Sequence, residues 1–194
     1  MKLFYVPVIL GSIRDGRQSA KVAEFVKRKL EATGRIEAEV LDLREMNLPM
    51  MSERLKFLKD PPQALVGFGE KMGRSDAFVI VTPEYNSGYP GVLKNAIDYL
   101  YPEYHRKPAG LVTVSAGTLG GVRVLEQLRN VMFSVGAIPI PSQFLVSKVR
   151  DAIDGDGTSA DPAVEKRADG FISELLWYTE AISDRKAKDS DGSE

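Results

Sequence analysis

The chain has 194 residues, of which 43% are hydrophobic and 27% charged. This is the composition of an ordinary globular protein able to bury one core without metal or disulfide staples. Its 26 Lys and Arg against 27 Asp and Glu leave no basic excess for nucleic-acid binding and no strongly acidic electron-carrier surface. With no cysteine and one histidine, Cys-based zinc sites, iron–sulfur clusters, thiol nucleophiles and disulfides are excluded.

The first apolar run, residues 3–10, reads as a buried strand. It is followed by polar, charged residues rather than a small-residue cleavage site, so a signal peptide is not expected and the reading is cytoplasmic. No apolar run reaches the roughly 18 residues that span a bilayer. Residues 19–33 place Val22, Phe25, Val26 and Leu30 on one helical face, and residues 36–43 form a second strand. Residues 44–60 look irregular, and residues 61–74 open with prolines suited to a helix start. A third strand at 77–82 leads to a helix at 90–100, and a fourth at 109–115 to a helix at 122–135, which Gly136 would stop. Residues 138–146 are a weaker strand, interrupted by Pro139 and Pro141 and better suited to a sheet edge. After an irregular stretch at 151–160, residues 161–182 are spaced for one long amphipathic helix.

Strands alternating with helices imply right-handed βαβ units and a parallel sheet. The expected fold is α/β: a flavodoxin-like, doubly wound sheet of five strands in the order 2-1-3-4-5, with helices on both faces. One domain over residues 1–183 is expected, with a charged tail at 184–194 that frays.

In such a sheet ligands sit at the carboxyl ends of the strands, and the informative loops follow the first, third and fourth strands. The first is Gly11-Ser12-Ile-Arg14-Asp15-Gly16-Arg17-Gln18-Ser19. Its small residues allow close backbone approach, its helix N-terminus attracts an anion, and Arg14 can fork onto phosphate oxygens. It matches neither a dinucleotide glycine loop nor a P-loop, and it suits one phosphomonoester. The alternative is a polar turn with Ser19 as an ordinary helix cap. Asp15 is an awkward neighbour for a phosphate and must point away.

The second loop, Thr82-Pro83-Glu84-Tyr85-Asn86-Ser87-Gly88-Tyr89-Pro90, offers a rigid, aromatic and polar wall for a planar ring. The third, Ser115-Ala116-Gly117-Thr118-Leu119-Gly120-Gly121, can bring backbone N–H groups to a ligand's carbonyl oxygens. Read alone, it is also compatible with a flexible connection. His105, in a charged Pro-flanked stretch, reads as an exposed turn residue rather than a triad member. No metal site and no protein nucleophile is expected.

Together, Gly11-Ser12-x-Arg14 with Ser19, Pro83-Glu84-Tyr85-Asn86 with Pro90-Gly91-x-Leu93-Lys94-Asn95-Ala96-Ile97-Asp98, and Ser115-x-Gly117-x-x-Gly120-Gly121 resemble the NADPH-dependent FMN reductase family. The likeness runs over about residues 3–144 and is most specific at 83–98. That family includes enzymes described as quinone, chromate and azo-dye reductases. The resemblance implies that Ser12, Arg14, Gln18 and Ser19 hold the phosphate of FMN. Pro83, Glu84, Tyr85 and Asn86 would line its ring, largely through backbone groups. Ser115, Gly117 and Gly120 would meet its pyrimidine edge or ribityl chain. It further implies NADPH or NADH as electron donor, a small-molecule acceptor, and a homodimer or homotetramer. Residues 46–58 and the helix opened by Pro90 are the interface candidates, with core packing as the competing reading.

Three other readings compete. A flavodoxin-like electron carrier would lack nicotinamide turnover. A receiver domain of the same topology would need an acidic cluster where this chain has Gly11-Ser12. A flavin-free scaffold would keep the fold alone.

Overall fold

The structure, a computed structural model, describes residues 2–190. Two short segments, β1 (Phe4–Tyr5) and β2 (Val8–Leu10), make the first strand, and β3 (Ile36–Glu37) and β4 (Val40–Asp42) the second. The breaks are local. Pro7 has no N–H to give, yet the bonds on either side continue, Val6 N–H to the Glu37 carbonyl at 2.9 Å and Val8 N–H to Glu39 at 2.8 Å. The third and fourth strands are β5 (Phe78–Pro83) and β6 (Pro108–Val114), and the fifth is split into β7 (Ile138–Pro139) and β8 (Phe144–Val146).

All registered pairs are parallel. β2 lies between β4 and β5, β5 beside β6, and both β7 and β8 on the outer side of β6. Merging the split strands gives the expected 2-1-3-4-5 sequence. The segment count exceeds five because three of the strands are interrupted, the fifth by the prolines that marked it as an edge.

Residues alternate between two apolar layers. Val8, Leu10, Val79 and Val81 face one layer with α1 (Ser19–Glu31) and α7 (Pro162–Ser190). Ile9, Phe78 and Ile80 face the other, with α3 (Gln63–Arg74), α4 (Gly91–Tyr99) and α5 (Val122–Ser134). This period-2 split is what a sheet covered on both faces requires. Gly110 lets α7 approach closely: a Cβ there would lie 2.7 Å from the Phe171 ring. Phe171 in turn stacks on Phe144 at 6.2 Å between ring centres.

Helix ends agree with the sequence to within a residue or two, and Gly136, at φ 74°, stops α5 as expected. Two differences stand out. The irregular stretch after the second strand contains α2 (Leu43–Met46), capped by the Asp42 carboxylate accepting from Arg44 N–H at 2.9 Å. It also contains a 3-10 turn at Leu55–Phe57. The last helix runs past residue 182 to Ser190, aided by a bond from Lys2 Nζ to Ser183 Oγ at 2.7 Å and an Arg185–Asp189 pair at 2.6 Å. Residues 191–194 of the expected tail lie outside the described residues. Between β8 and α7 comes α6 (Val149–Ala152). Among the described residues no helix is long and apolar enough to cross a membrane.

Candidate functional site

The carboxyl ends of β2, β5 and β6 open into one cavity of about 760 Å³. That lies within the range of small-molecule and cofactor sites. All three loops singled out from the sequence line it, and so does the segment after β8.

The first loop supplies Arg14, Asp15, Gly16, Arg17, Gln18 and Ser19. Ser19 is the first residue of α1 rather than its cap; Gln18 holds the cap position and makes no side-chain capping bond. The Ser19 side chain is 2% exposed, and its hydroxyl has no hydrogen-bond partner. A buried hydroxyl without a partner is costly, and here it lines a cavity at a helix N-terminus, where an anion is favoured. Among the described residues Arg14 has no carboxylate partner, and its guanidinium lies 5.9 Å from the Tyr85 ring centre. Asp15, also on the cavity, pairs with Arg44 at 2.6 Å, which offsets its charge there. Arg17 is committed elsewhere: it donates to the Ser12 carbonyl at 2.6 Å and pairs with Asp42.

The second loop contributes Pro83, Glu84 and Tyr85. Tyr85 and Gly88 exchange two backbone bonds, of 2.8 and 3.0 Å, around Asn86 and Ser87. The two central residues have φ of 51° and 65°, the sign pattern of a type I′ turn. The Glu84 side chain serves α5 instead of the cavity. Its carboxylate accepts from Arg123 N–H at 3.1 Å and Val124 N–H at 3.4 Å, taking the place of the cap that Gly121 cannot provide. Glu84 therefore lines the cavity while its side chain ties the second loop to the helix after the third.

Of the third loop, Ser115, Ala116, Gly117, Thr118, Leu119 and Gly121 line the cavity. Gly117 has open space where a Cβ would project. Ser115 donates its hydroxyl to the Gly117 carbonyl at 3.0 Å, bending the loop.

Three of the expected site residues do not line the cavity. Ser12 is fully buried, its hydroxyl 2.9 Å from the Tyr85 hydroxyl. It holds Tyr85 rather than facing a ligand. Asn86 stands on the exposed turn, where its tolerance of positive φ is the property in use. Gly120, at φ 63°, packs against Leu145 and gives its carbonyl to Thr113 Oγ1 at 2.6 Å. It shapes the loop from behind. The others, Arg14, Gln18, Ser19, Pro83, Glu84, Tyr85, Ser115 and Gly117, come together around the one cavity.

Sequence reasoning missed Arg123, Val149 and Arg150, which also line the cavity. Arg123 was visible as the first charged residue of the α5 pattern. Val149 and Arg150 follow the weakest strand, and the rule that ligands gather at strand carboxyl ends was the only signal for them.

Comparison with known proteins gives a consistent answer. The family model described as NADPH-dependent FMN reductase matches residues 4–151. An NAD(P)H-dependent FMN reductase of Saccharomyces cerevisiae is 32% identical over 167 residues, covering 72% of this chain and 86% of that protein. A quinone reductase of Pseudomonas putida is 30% identical over 151 residues, covering 74% and 78% respectively. Among solved structures, a flavoenzyme NAD(P)H:(acceptor) oxidoreductase of Paracoccus denitrificans superposes with a TM-score of 0.81 at 27% identity. The match covers 93% of this chain and 99% of that one.

Proposed function

The chain belongs to the NADPH-dependent FMN reductase family, and on that premise we propose that it binds FMN and passes electrons from NADPH or NADH to a small acceptor. The single observation that carries the flavin site is the buried, partnerless Ser19 hydroxyl in the cavity wall at the start of α1. A phosphate there gives that hydroxyl an acceptor, meets the free guanidinium of Arg14, and sits on the N–H groups of the first helical turn. Gln18 completes this end. Pro83, the Glu84 backbone and Tyr85 form the wall for the ring, and Ser115 and Gly117 leave room for its pyrimidine edge.

FMN held here would supply the redox chemistry, carrying the two electrons of a nicotinamide hydride to the second substrate in one- or two-electron steps. The chain's part is to bind, orient and shield. Ser12 fixes Tyr85 from behind, and Glu84 locks the second loop to α5, so two walls of the site move as one. No catalytic side chain is assigned.

The acceptor is a small molecule that reaches the exposed ring: a quinone, free flavin or azo compound by stacking, or chromate by close approach. We also place the protein in the cytoplasm as a homodimer or homotetramer. Met50, 84% exposed, and Phe57, 60% exposed, sit on the stretch read as an interface. Its other apolar residues, Met46, Leu48, Met51, Leu55 and Leu58, are partly buried and pack against the core. Sedimentation of the protein beside a Met50→Lys, Phe57→Lys variant tests this; a wild-type monomer would sink it.

Flavin binding is tested by titrating protein with FMN and following quenching of flavin fluorescence. Saturable binding is expected, with anaerobic NADPH then bleaching the yellow colour. Arg14→Ala is expected to weaken FMN by about 1.5–3 kcal/mol, the scale of a hydrogen bond to a charged group. Protein that takes up no FMN overturns the reading, and a flavoprotein that NADPH and NADH both leave oxidised is an electron carrier instead.

A further inference from the structure

Six charged residues line the cavity: Arg14, Asp15, Arg17, Glu84, Arg123 and Arg150. Most are already matched. Arg17 is paired with Asp42, Asp15 with Arg44, and Glu84 with Arg123 at 3.5 Å and the first turn of α5. Arg14 and Arg150 are left, and neither has a carboxylate partner among the described residues. Under the function proposed above, Arg14 faces the one phosphate that FMN carries. Arg150 remains as a second cation on the same cavity with no anion to meet.

Its position is built rather than incidental. Lys148 adopts the left-handed conformation, φ 45° and ψ 47°, which costs a non-glycine residue energy. The segment is held there by two backbone bonds across to the third loop, Lys148 N–H to the Gly117 carbonyl at 2.9 Å and Val149 N–H to Ser115 at 3.1 Å. Those bonds bring Val149, buried, and Arg150, exposed, onto the cavity beside the loop assigned to the flavin's pyrimidine edge. Arg150 thus lines the cavity from its exposed side, open to a second substrate arriving from solvent.

We infer that Arg150 recognises a phosphate group of the nicotinamide dinucleotide, making it a substrate-binding residue of this site. This rests on the flavin-reductase reading. Of the reactants in that reading, the dinucleotide carries phosphates whatever the acceptor, whereas among the acceptors quinones and azo compounds need no anionic group and only free FMN or chromate would bring one. The phosphate chemistry has two sources: the pyrophosphate, common to both dinucleotides, and the 2′-phosphate of the phosphorylated one. An arginine fork suits either.

The test uses FMN-loaded protein, wild type and Arg150→Ala, Arg150→Gln and Arg150→Lys. Equilibrium binding of NADP+, NAD+ and phosphate-free nicotinamide riboside is measured by calorimetry, with the FMN dissociation constant measured in parallel. Loss of a charge-assisted hydrogen bond is expected to weaken the phosphate-bearing ligand by about tenfold or more in the Ala and Gln variants. Lys is expected to restore part of that loss, with riboside and FMN unchanged. Weakening of NADP+ alone assigns Arg150 to the 2′-phosphate, and equal weakening of NADP+ and NAD+ assigns it to the pyrophosphate. Unchanged dinucleotide affinity, a matching loss for the riboside, or a loss of FMN affinity overturns the proposal. Wild-type protein that binds no FMN overturns the flavin reading beneath it, so the two failures are separable.

Discussion

Ser19 and Tyr104 each bury a hydroxyl without a partner, and their surroundings give the two opposite meanings. Ser19 borders a cavity, so its unmet bond is available to a ligand. Tyr104 is fully buried in the apolar layer, its ring 5.5 Å from that of Phe78, and burial pushes its phenol pKa far up. There the hydroxyl is a cost with no return. Tyr104→Phe is therefore expected to raise the stability of the flavin-free protein by about 1 kcal/mol, measured by urea denaturation. A loss of stability would mean that the hydroxyl has a partner, such as an enclosed water. Lys107 is the other costly burial. Its ammonium caps the end of α3, bonding the Met72 carbonyl, the Gly73 carbonyl at 2.8 Å and Ser75 Oγ at 3.2 Å. Burial, with a smaller contribution from Lys186, pushes its pKa down to about 8, against the smaller opposing pull of Asp76 and Glu103. Below about pH 8 both folded and unfolded chains carry this proton, and the fold bears the full cost of burying it. Between there and the unfolded value of about 10.4 the unfolded chain binds more protons, so stability rises with pH. Unfolding free energies of wild type relative to Lys107→Met should accordingly increase from pH 8 to pH 10; a flat difference would show that the cap holds the charged form without penalty.

Element boundaries follow from the same local chemistry, with one exception that crosses between elements. The cap position of α5 is Gly121, which has no side chain to cap with, and the cap comes from Glu84 on a different βα loop. Glu84→Ala should cost about 1 kcal/mol of stability, the usual scale of a lost cap, and Glu84→Gln less. Because the same residue anchors the flavin wall, FMN affinity should fall together with stability. Urea denaturation and FMN titration on the same samples check the pair, and a stability loss with unchanged FMN affinity would uncouple the two loops. This link was illegible in the sequence, where Glu84 reads as one more polar group in a ring-binding turn. The strands and most helices were legible, because two-sided burial writes continuous apolar runs and one-sided burial writes a helical stripe. The three loops were legible because glycine and proline punctuate them. Ser12, Asn86 and Gly120 were placed at the site by motif, and none of them lines the cavity: Ser12 and Gly120 are packed against neighbours and Asn86 stands on the exposed turn, distinctions that motif membership does not carry. Arg150 was illegible because its strand is broken by prolines and its loop carries no glycine signal.

At the scale of the whole molecule, two apolar layers hold the sheet and leave its carboxyl edge to the ligand, so binding and folding can be separated experimentally. A ligand that binds only the folded chain stabilises it by about 2.7 kcal/mol at one hundred times its dissociation constant. Of the residues that line the cavity only Val114 and Val149 belong to either layer, so removing the ligand should forfeit that gain with little disturbance of the core. Gly117 offers the cleanest way to do this. A Cβ at this position meets nothing within 4 Å, and its φ is not in the left-handed range, so a side chain is tolerated by the protein itself. The space it would fill is the cavity. Gly117→Val is expected to melt within a degree or two of wild type in the absence of FMN. Its ability to bind FMN should be lost, along with the rise in melting temperature that FMN gives the wild type. Gly120→Val supplies the contrast: its Cβ would come 2.7 Å from that of Leu145, at a positive φ, so that variant should lose stability even without flavin. If Gly117→Val still binds FMN with wild-type affinity, the third loop does not face the ring; if it unfolds, the edge of the sheet is part of the core after all.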